Sequence, residues 1–178
     1  SSSWPSSSPS SAAVVMDPDA AQTVEQRTEA AAGVMAALRD AGVVTGWRDE
    51  LFRVNESYGE PPVMLVERAT ASLLGIRAYG VHVNGYTTAP DGTLRLWVAR
   101  RSMTKPTWPG KLDHLVAGGL PFGIAPGECV VKECGEEASI PQELAETAKP
   151  VGAITYNANY LGCCKRDVLF CYDLELPA

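Results

Sequence analysis

The stretch "GGLPFGIAPGECVVKECGEEASI", Gly118 to Ile140, decides how the chain is read. Pro126 stands where proline suits the first turn of a helix, and Ser139 with Pro141 marks that helix's end. At helical pitch Glu133, Glu136 and Glu137 leave it within an arc of roughly 100°, so three carboxylates crowd one face and can share one point in space. Without a counter-charge each like-charged pair weakens a helix by about 0.3 kcal/mol. A hard divalent cation, magnesium or manganese, relieves that repulsion, and oxygen-only ligands suit a metal that also bridges substrate phosphates. Gly118, Gly119 and Gly123 ahead of the helix let backbone approach both metal and ligand. The plainer reading is a solvated acidic face.

Working outward, "IRAYGVHVNGYTT" and "TLRLWVARRS" flank "APDG", whose Asp91-Gly92 pair predicts a tight hairpin between alternating strands. "LDHLVAGG" reads as one strand running into the glycine pair. "PQELAETA" reads as a short second helix, and "VGAITYNANYLGCC" and "RDVLFCYDLEL" as two more strands. Toward the N-terminus, Val24, Ala31, Val34, Met35 and Leu38 recur at helical spacing, predicting one amphipathic helix over about residues 18–41. "WRDELFRVNE" and "PPVMLVERATASLLGI" then read as short strand, loop and short helix. Residues 1–16 are rich in serine and proline and bear no charge, which predicts a disordered leader. The division is therefore leader 1–16, a small α+β domain 17–75 and a main α/β domain 76–178.

Lys+Arg 15 against Asp+Glu 21, a net charge of -6, argues against nucleic acid or an anionic membrane as the main partner. Charges or glycines interrupt every apolar segment, so no run reaches the roughly 18 residues of a spanning helix. Five cysteines, an odd number with Cys163 and Cys164 adjacent, fit reduced thiols in a reducing compartment, cytosol or plastid, and not secretion. The absence of a CxxC and the remoteness of His82 and His114 weigh against a zinc site. Arg100 and Arg101, at a strand end, offer two guanidinium forks that match phosphate oxygens. Trp108, Trp97, Tyr156 and Tyr160 are able to stack on a heteroaromatic ring, with Trp97 assigned to the core. Asp113-His114 has no serine elbow to complete a triad, and His114 is read as a structural histidine.

The spacing of the opening stretch resembles the Nudix box, G-x5-E-x7-R-E-U-x-E-E-x-G-U with U aliphatic. Gly118 takes the opening glycine, Glu133, Glu136 and Glu137 the metal-associated glutamates, Cys134 the internal apolar position and Ile140 the closing aliphatic. Ile124, Lys132 and Ser139 depart from the first glutamate, the arginine and the last glycine. Lys132 lacks arginine's planar fork, and Glu128, one turn upstream, is a candidate partner for it. "WRDELFRV", "ERATASLLGIRAYGVHVNGY", "KPTWPGKLDHLVAGGLPFGI" and "KECGEEASIP" together look like the thiamine pyrophosphokinase-related branch of Nudix proteins, found in plants and fungi with a small N-terminal domain.

The resemblance implies an α/β/α sandwich with a mixed sheet, preceded by that α+β domain, whose usual continuation past "VLFCYDLELPA" is missing here. It also implies a magnesium- or manganese-dependent hydrolase of a small-molecule diphosphate, nucleoside-diphosphate-like or derived from thiamine diphosphate. Water attacks phosphorus, with Glu133, Glu136 and Glu137 on the metal and Arg100, Arg101, Gly118 and Gly119 toward substrate. A catalytically idle diphosphate-binding or interaction module is the alternative. Oligomeric state is left open.

Overall fold

The computed structural model describes residues 15–17, 19, 21–105, 108–160 and 162–177. The expected leader falls, up to residue 14, outside the described residues. Strand β3 (Arg77–Thr88) is the spine of the molecule. Its alternation works as period-2 patterning requires: Tyr79, Val81 and Val83 are buried toward one face, while Ala78, Gly80, His82 and Asn84 point to the other. It turns back through Ala89–Gly92 into β4 (Leu94–Trp97), with Thr93 N–H donating to the Asp91 carboxylate at 2.9 Å. That hairpin is the one expected from Asp91-Gly92.

β3 pairs antiparallel with β4 and with β7 (Val116–Gly119) along one edge, and in parallel with β9 (Cys163–Glu175) along the other. β9 continues antiparallel into β8 (Lys149–Tyr160), which is irregular between Pro150 and Gly152. The sheet is therefore mixed, as expected. Helix α3 (Pro126–Ala138) lies on the face that carries Tyr79, Val81 and Val83, and seals it with Cys129, Val130 and Cys134. Burying a side chain such as Val130 stabilises by about 2 kcal/mol, enough to seat one stripe of the helix firmly. The short α4 (Gln142–Ala145) closes the same core through Ala145.

The N-terminal region differs in detail from its sequence reading. Helix α1 runs Val24–Asp40, starting later than expected. Thr23 caps it, and the Gln26 side chain accepts the Thr23 N–H in return, so the helix has a defined start. The segment read as strand, loop and helix contains two strands, β1 (Leu51–Val54) and β2 (Met64–Glu67), paired antiparallel, and then the short α2 (Ala71–Leu74). β2 is too short and too flanked by prolines for its periodicity to show. The unit leans on the main sheet: Tyr58 packs edge-on against Tyr79 and Phe170, and Phe122 N–H donates to Leu51 O at 2.7 Å.

α2 packs near the start of β9 on the face of the sheet opposite α3, beside Ala78 and Gly80. Farther along that face Leu94, Leu96, Ile154 and Tyr156 are exposed. Among the described residues the second helical layer of the sandwich is thus α2 alone. No helix among the described residues is long and apolar enough to cross a membrane.

Candidate active site

Helix α3 begins at Ala125, which has no side-chain oxygen, so the reciprocal half of a capping box does the work: Ala125 N–H donates to Glu128 at 2.8 Å. Glu128 is therefore a cap and not the partner proposed for Lys132. Lys132 instead donates to Glu133 at 3.1 Å and to Glu136 at 2.8 Å. The hydrogen bond that Lys132 donates to Glu136 first, then the one to Glu133, outweigh burial and hold the Lys132 ammonium above the usual lysine range. The acidic helix thus carries a counter-charge of its own.

Glu133 is the most sheltered of the trio, its side chain 12% exposed against 37% for Glu137 and 60% for Glu136. It lies directly over Gly118 of β7: a Cβ there would stand 2.2 Å from the Glu133 carboxyl carbon. Glu137 reaches the same strand, accepting Ala117 N–H at 3.2 Å, and meets Lys105 at 3.9 Å. Gly119, one residue on, faces the other way. A Cβ there would meet Arg68 at 2.9 Å and Phe52 at 3.1 Å. The glycine pair therefore serves two faces, and Gly118 alone makes room for the acidic helix.

The three carboxylates leave one helical face as expected, but do not meet at a point. Among the described residues no three His, Cys, Asp or Glu side chains are gathered closely enough to hold an ion. The reason is local: Lys132 draws Glu133 and Glu136 aside, while backbone and Lys105 hold Glu137. The donor chemistry nonetheless fits a hard cation, being carboxylate oxygen throughout.

Strands β5 (Ala99–Arg100) and β6 (Leu112–Asp113) form a small ribbon beyond β4. "LDHLVAGG" is thus two strands, broken at His114-Leu115. The break lets Leu115 fold over Gly85, where its side chain leaves no room for a Cβ. The ribbon carries Arg100 and Arg101 to α3, so that Arg100, Arg101, Lys105, Asp113, Glu136 and Glu137 line one cavity of about 390 Å³. Arg101 is anchored on Asp113 at 2.7 Å, and Arg100 donates to Gly110 O at 3.1 Å. Burial works to raise the Asp113 carboxyl, but the hydrogen bonds from Arg101 and from His114 N–H outweigh it and leave Asp113 below its ordinary value.

Two assignments change. Trp97, placed in the core from its strand pattern, is 54% exposed, because it ends β4 at the rim of the sheet. His114 is tied in structurally and also lines the arginine cavity. Its ring lies 4.2 Å from that of His82, whose imidazole is held below its ordinary value by burial first and by His114 next. Sequence reading missed Lys105 and Asn84 as members of this neighbourhood. Asn84 carried a signal, a polar residue at an alternating strand position, whereas Lys105 lies in a loop without pattern.

Comparison with known proteins agrees with this architecture. Residues 5–78 match a family described as "Domain of unknown function (DUF4743)". The chain is 52% identical over 156 residues to Nudix hydrolase 20, chloroplastic, of Arabidopsis thaliana, covering 88% of this chain and 41% of that protein. It is 50% identical over 153 residues to Nudix hydrolase 24, chloroplastic, of the same plant, covering 86% and 42%. The chain therefore spans about two fifths of the length of these curated relatives. Among solved structures, DR0079 of Deinococcus radiodurans superposes with a TM-score of 0.54 at 22% identity, over 73% of this chain and 74% of that one. DR0079 is described as an hypothetical Nudix protein. A mixed sheet carrying a glutamate-bearing helix, and a sequence half identical to two Nudix hydrolases over two fifths of their length, make this chain similar to members of the Nudix hydrolase family.

Proposed function

We propose that the chain hydrolyses a small-molecule organic diphosphate with magnesium or manganese. The observation that carries this is the cavity that sets Arg100, Arg101 and Lys105 opposite Glu136 and Glu137, a cationic wall facing an acidic helix. Phosphate oxygens suit the two guanidinium forks, and anchoring on Asp113 means less side-chain freedom is lost when Arg101 takes hold. Glu133, Glu136 and Glu137 are the residues that would hold the metal, and Lys132 supplies their counter-charge without it. When bound, such an ion supplies Lewis acidity and lowers the pKa of water. A glutamate of the cluster is the general base in this reading. Gly118 seats Glu133 against β7 beside this cavity, whereas Gly118 and Gly119 themselves line a separate concavity with Arg68 and Phe52.

The substrate is nucleoside-diphosphate-like or derived from thiamine diphosphate, in line with the branch that the sequence resembles. The location is the plastid, supported by the two chloroplastic relatives. A second reading, an idle diphosphate-binding module, has one observation in its favour: Lys132 already pairs with two of the three glutamates and offsets part of their charge. Phosphate release from a panel of diphosphates in magnesium, with Glu136→Gln and Glu137→Gln alongside, separates them. The enzyme reading expects release that both variants reduce by at least about 100-fold. Equal rates in all three proteins defeat it.

A further inference from the structure

A second cavity, of about 400 Å³, opens beside the arginine cavity and shares Asp113, His114 and Leu115 with it. Its walls are apolar: Leu96, Trp97, Val98 and Leu112 are 71%, 54%, 58% and 66% exposed. Four large apolar side chains held open to water around one concavity, and continuous with a cationic pocket, form the two halves of a site for an amphiphilic anion.

The polar group at the junction is His114, and its state follows from its neighbours. Asn84 Nδ2 donates to the Asp173 carboxylate at 2.9 Å, which leaves Asn84 Oδ1 as an acceptor. His114 Nδ1 stands 3.0 Å from that oxygen and must therefore carry the proton. In the neutral ring Nε2 is then an acceptor only. Asp173, Asn84 and His114 come from β9, β3 and the β6–β7 break, so the sheet itself fixes the tautomer.

Resting on the diphosphate reading above, we infer that this second cavity takes the organic part of the substrate, a planar ring against Trp97, and that His114 selects rings carrying an N–H donor. Trp97 supplies the stacking surface and Leu96, Val98 and Leu112 exclude water around it. His114 is a specificity residue. It reads the ring through one hydrogen bond while the phosphates lie in the neighbouring cavity.

The test uses three probes with magnesium: adenosine diphosphate, purine riboside 5′-diphosphate, which lacks the amino group, and methyl diphosphate, which lacks the ring. The wild-type chain is expected to show a KM for adenosine diphosphate about fivefold below that for the purine riboside compound. His114→Ala brings that ratio to one, whereas a merely structural defect raises both values together. Trp97→Ala raises KM for both ring compounds about tenfold more than for methyl diphosphate. Ring contact is also read without turnover, as ligand quenching of tryptophan fluorescence that Trp97→Phe removes. Hydrolysis with no ring preference and unchanged ratios in the variants overturns the cavity assignment alone. Quenching by the ring compounds without phosphate release supports the cavity and defeats the hydrolytic reading. Neither quenching nor release defeats both.

Discussion

Gly118→Ala isolates the contact on which the acidic helix rests. Gly118 lies in a β-strand and is not among the residues with positive φ, so alanine meets no backbone objection. The objection is one of space. The added Cβ would lie 2.2 Å from Glu133 Cδ, 2.4 Å from Cγ and 2.6 Å from Oε1, where ordinary contact begins near 3.4 Å. The Glu133 carboxylate must therefore retreat by about 1.2 Å, a distance at which misplaced reacting groups lose about 100-fold in rate. That loss corresponds to about 2.7 kcal/mol of transition-state stabilisation. Stability moves much less. A shifted glutamate rotamer costs about 1 kcal/mol, and the loss of glycine's unfolded-state freedom returns a similar amount. Phosphate release and thermal melting on the same samples give the check. The expectation is a folded protein melting within a few degrees of wild type with kcat down by two orders of magnitude. Gly119→Ala is the contrast: its Cβ presses on Arg68 at 2.9 Å and Phe52 at 3.1 Å, away from α3, and the expected loss is under tenfold. A Gly118→Ala protein that keeps half the wild-type turnover would refute the argument that Glu133 works from its seat on Gly118.

Two further outcomes follow from local geometry. Ser139 ends α3 in the left-handed region at φ 52°, so Ser139→Gly is expected to raise stability by about 1 kcal/mol and Tm by about 3 °C, read by calorimetry; an unchanged or lower Tm contradicts it. Burial, then the Glu133 charge, pushes the thiol of Cys129 up to about 12, and burial pushes that of Cys134 up to about 11. Iodoacetamide at pH 8 is therefore expected to modify exposed Cys164 and leave both helix cysteines unmodified by mass spectrometry, with their labelling appearing only as pH climbs toward those values or the protein unfolds.

What the sequence shows and what it hides divide along physical lines. The β3–β4 hairpin is legible because Asp91-Gly92 writes its own turn, and α3 because Pro126 and the Ser139–Pro141 stop bracket it. Period-2 alternation likewise reveals β3, with Tyr79, Val81 and Val83 all pointing into the core. The arc of the three glutamates is also legible, since helical pitch alone determines it. Their actual directions are not. Those depend on Lys132, on a backbone N–H from β7 and on Lys105 from a loop, three partners brought in by tertiary structure. Trp97 shows the same limit: alternation assigns a side to a strand residue but does not say where the sheet stops.

The three departures from the family's box each have a physical counterpart. Ile124, in place of a glutamate, packs partly buried against the core around α3, so it adds apolar contact to the helix's N-terminal side. Ser139 occupies a left-handed position that glycine would take at less cost, a penalty of about 1 kcal/mol spread over a well-packed helix. Lys132 carries the most weight. Where an arginine would clamp one carboxylate bidentately, the lysine ammonium reaches two, Glu133 and Glu136, as a point charge on a flexible stem. Such a cation offsets part of the negative charge on this face without clamping either carboxylate in a planar fork. The substitution therefore alters how the glutamates are restrained, and leaves their number, chemistry and helical face as the box requires.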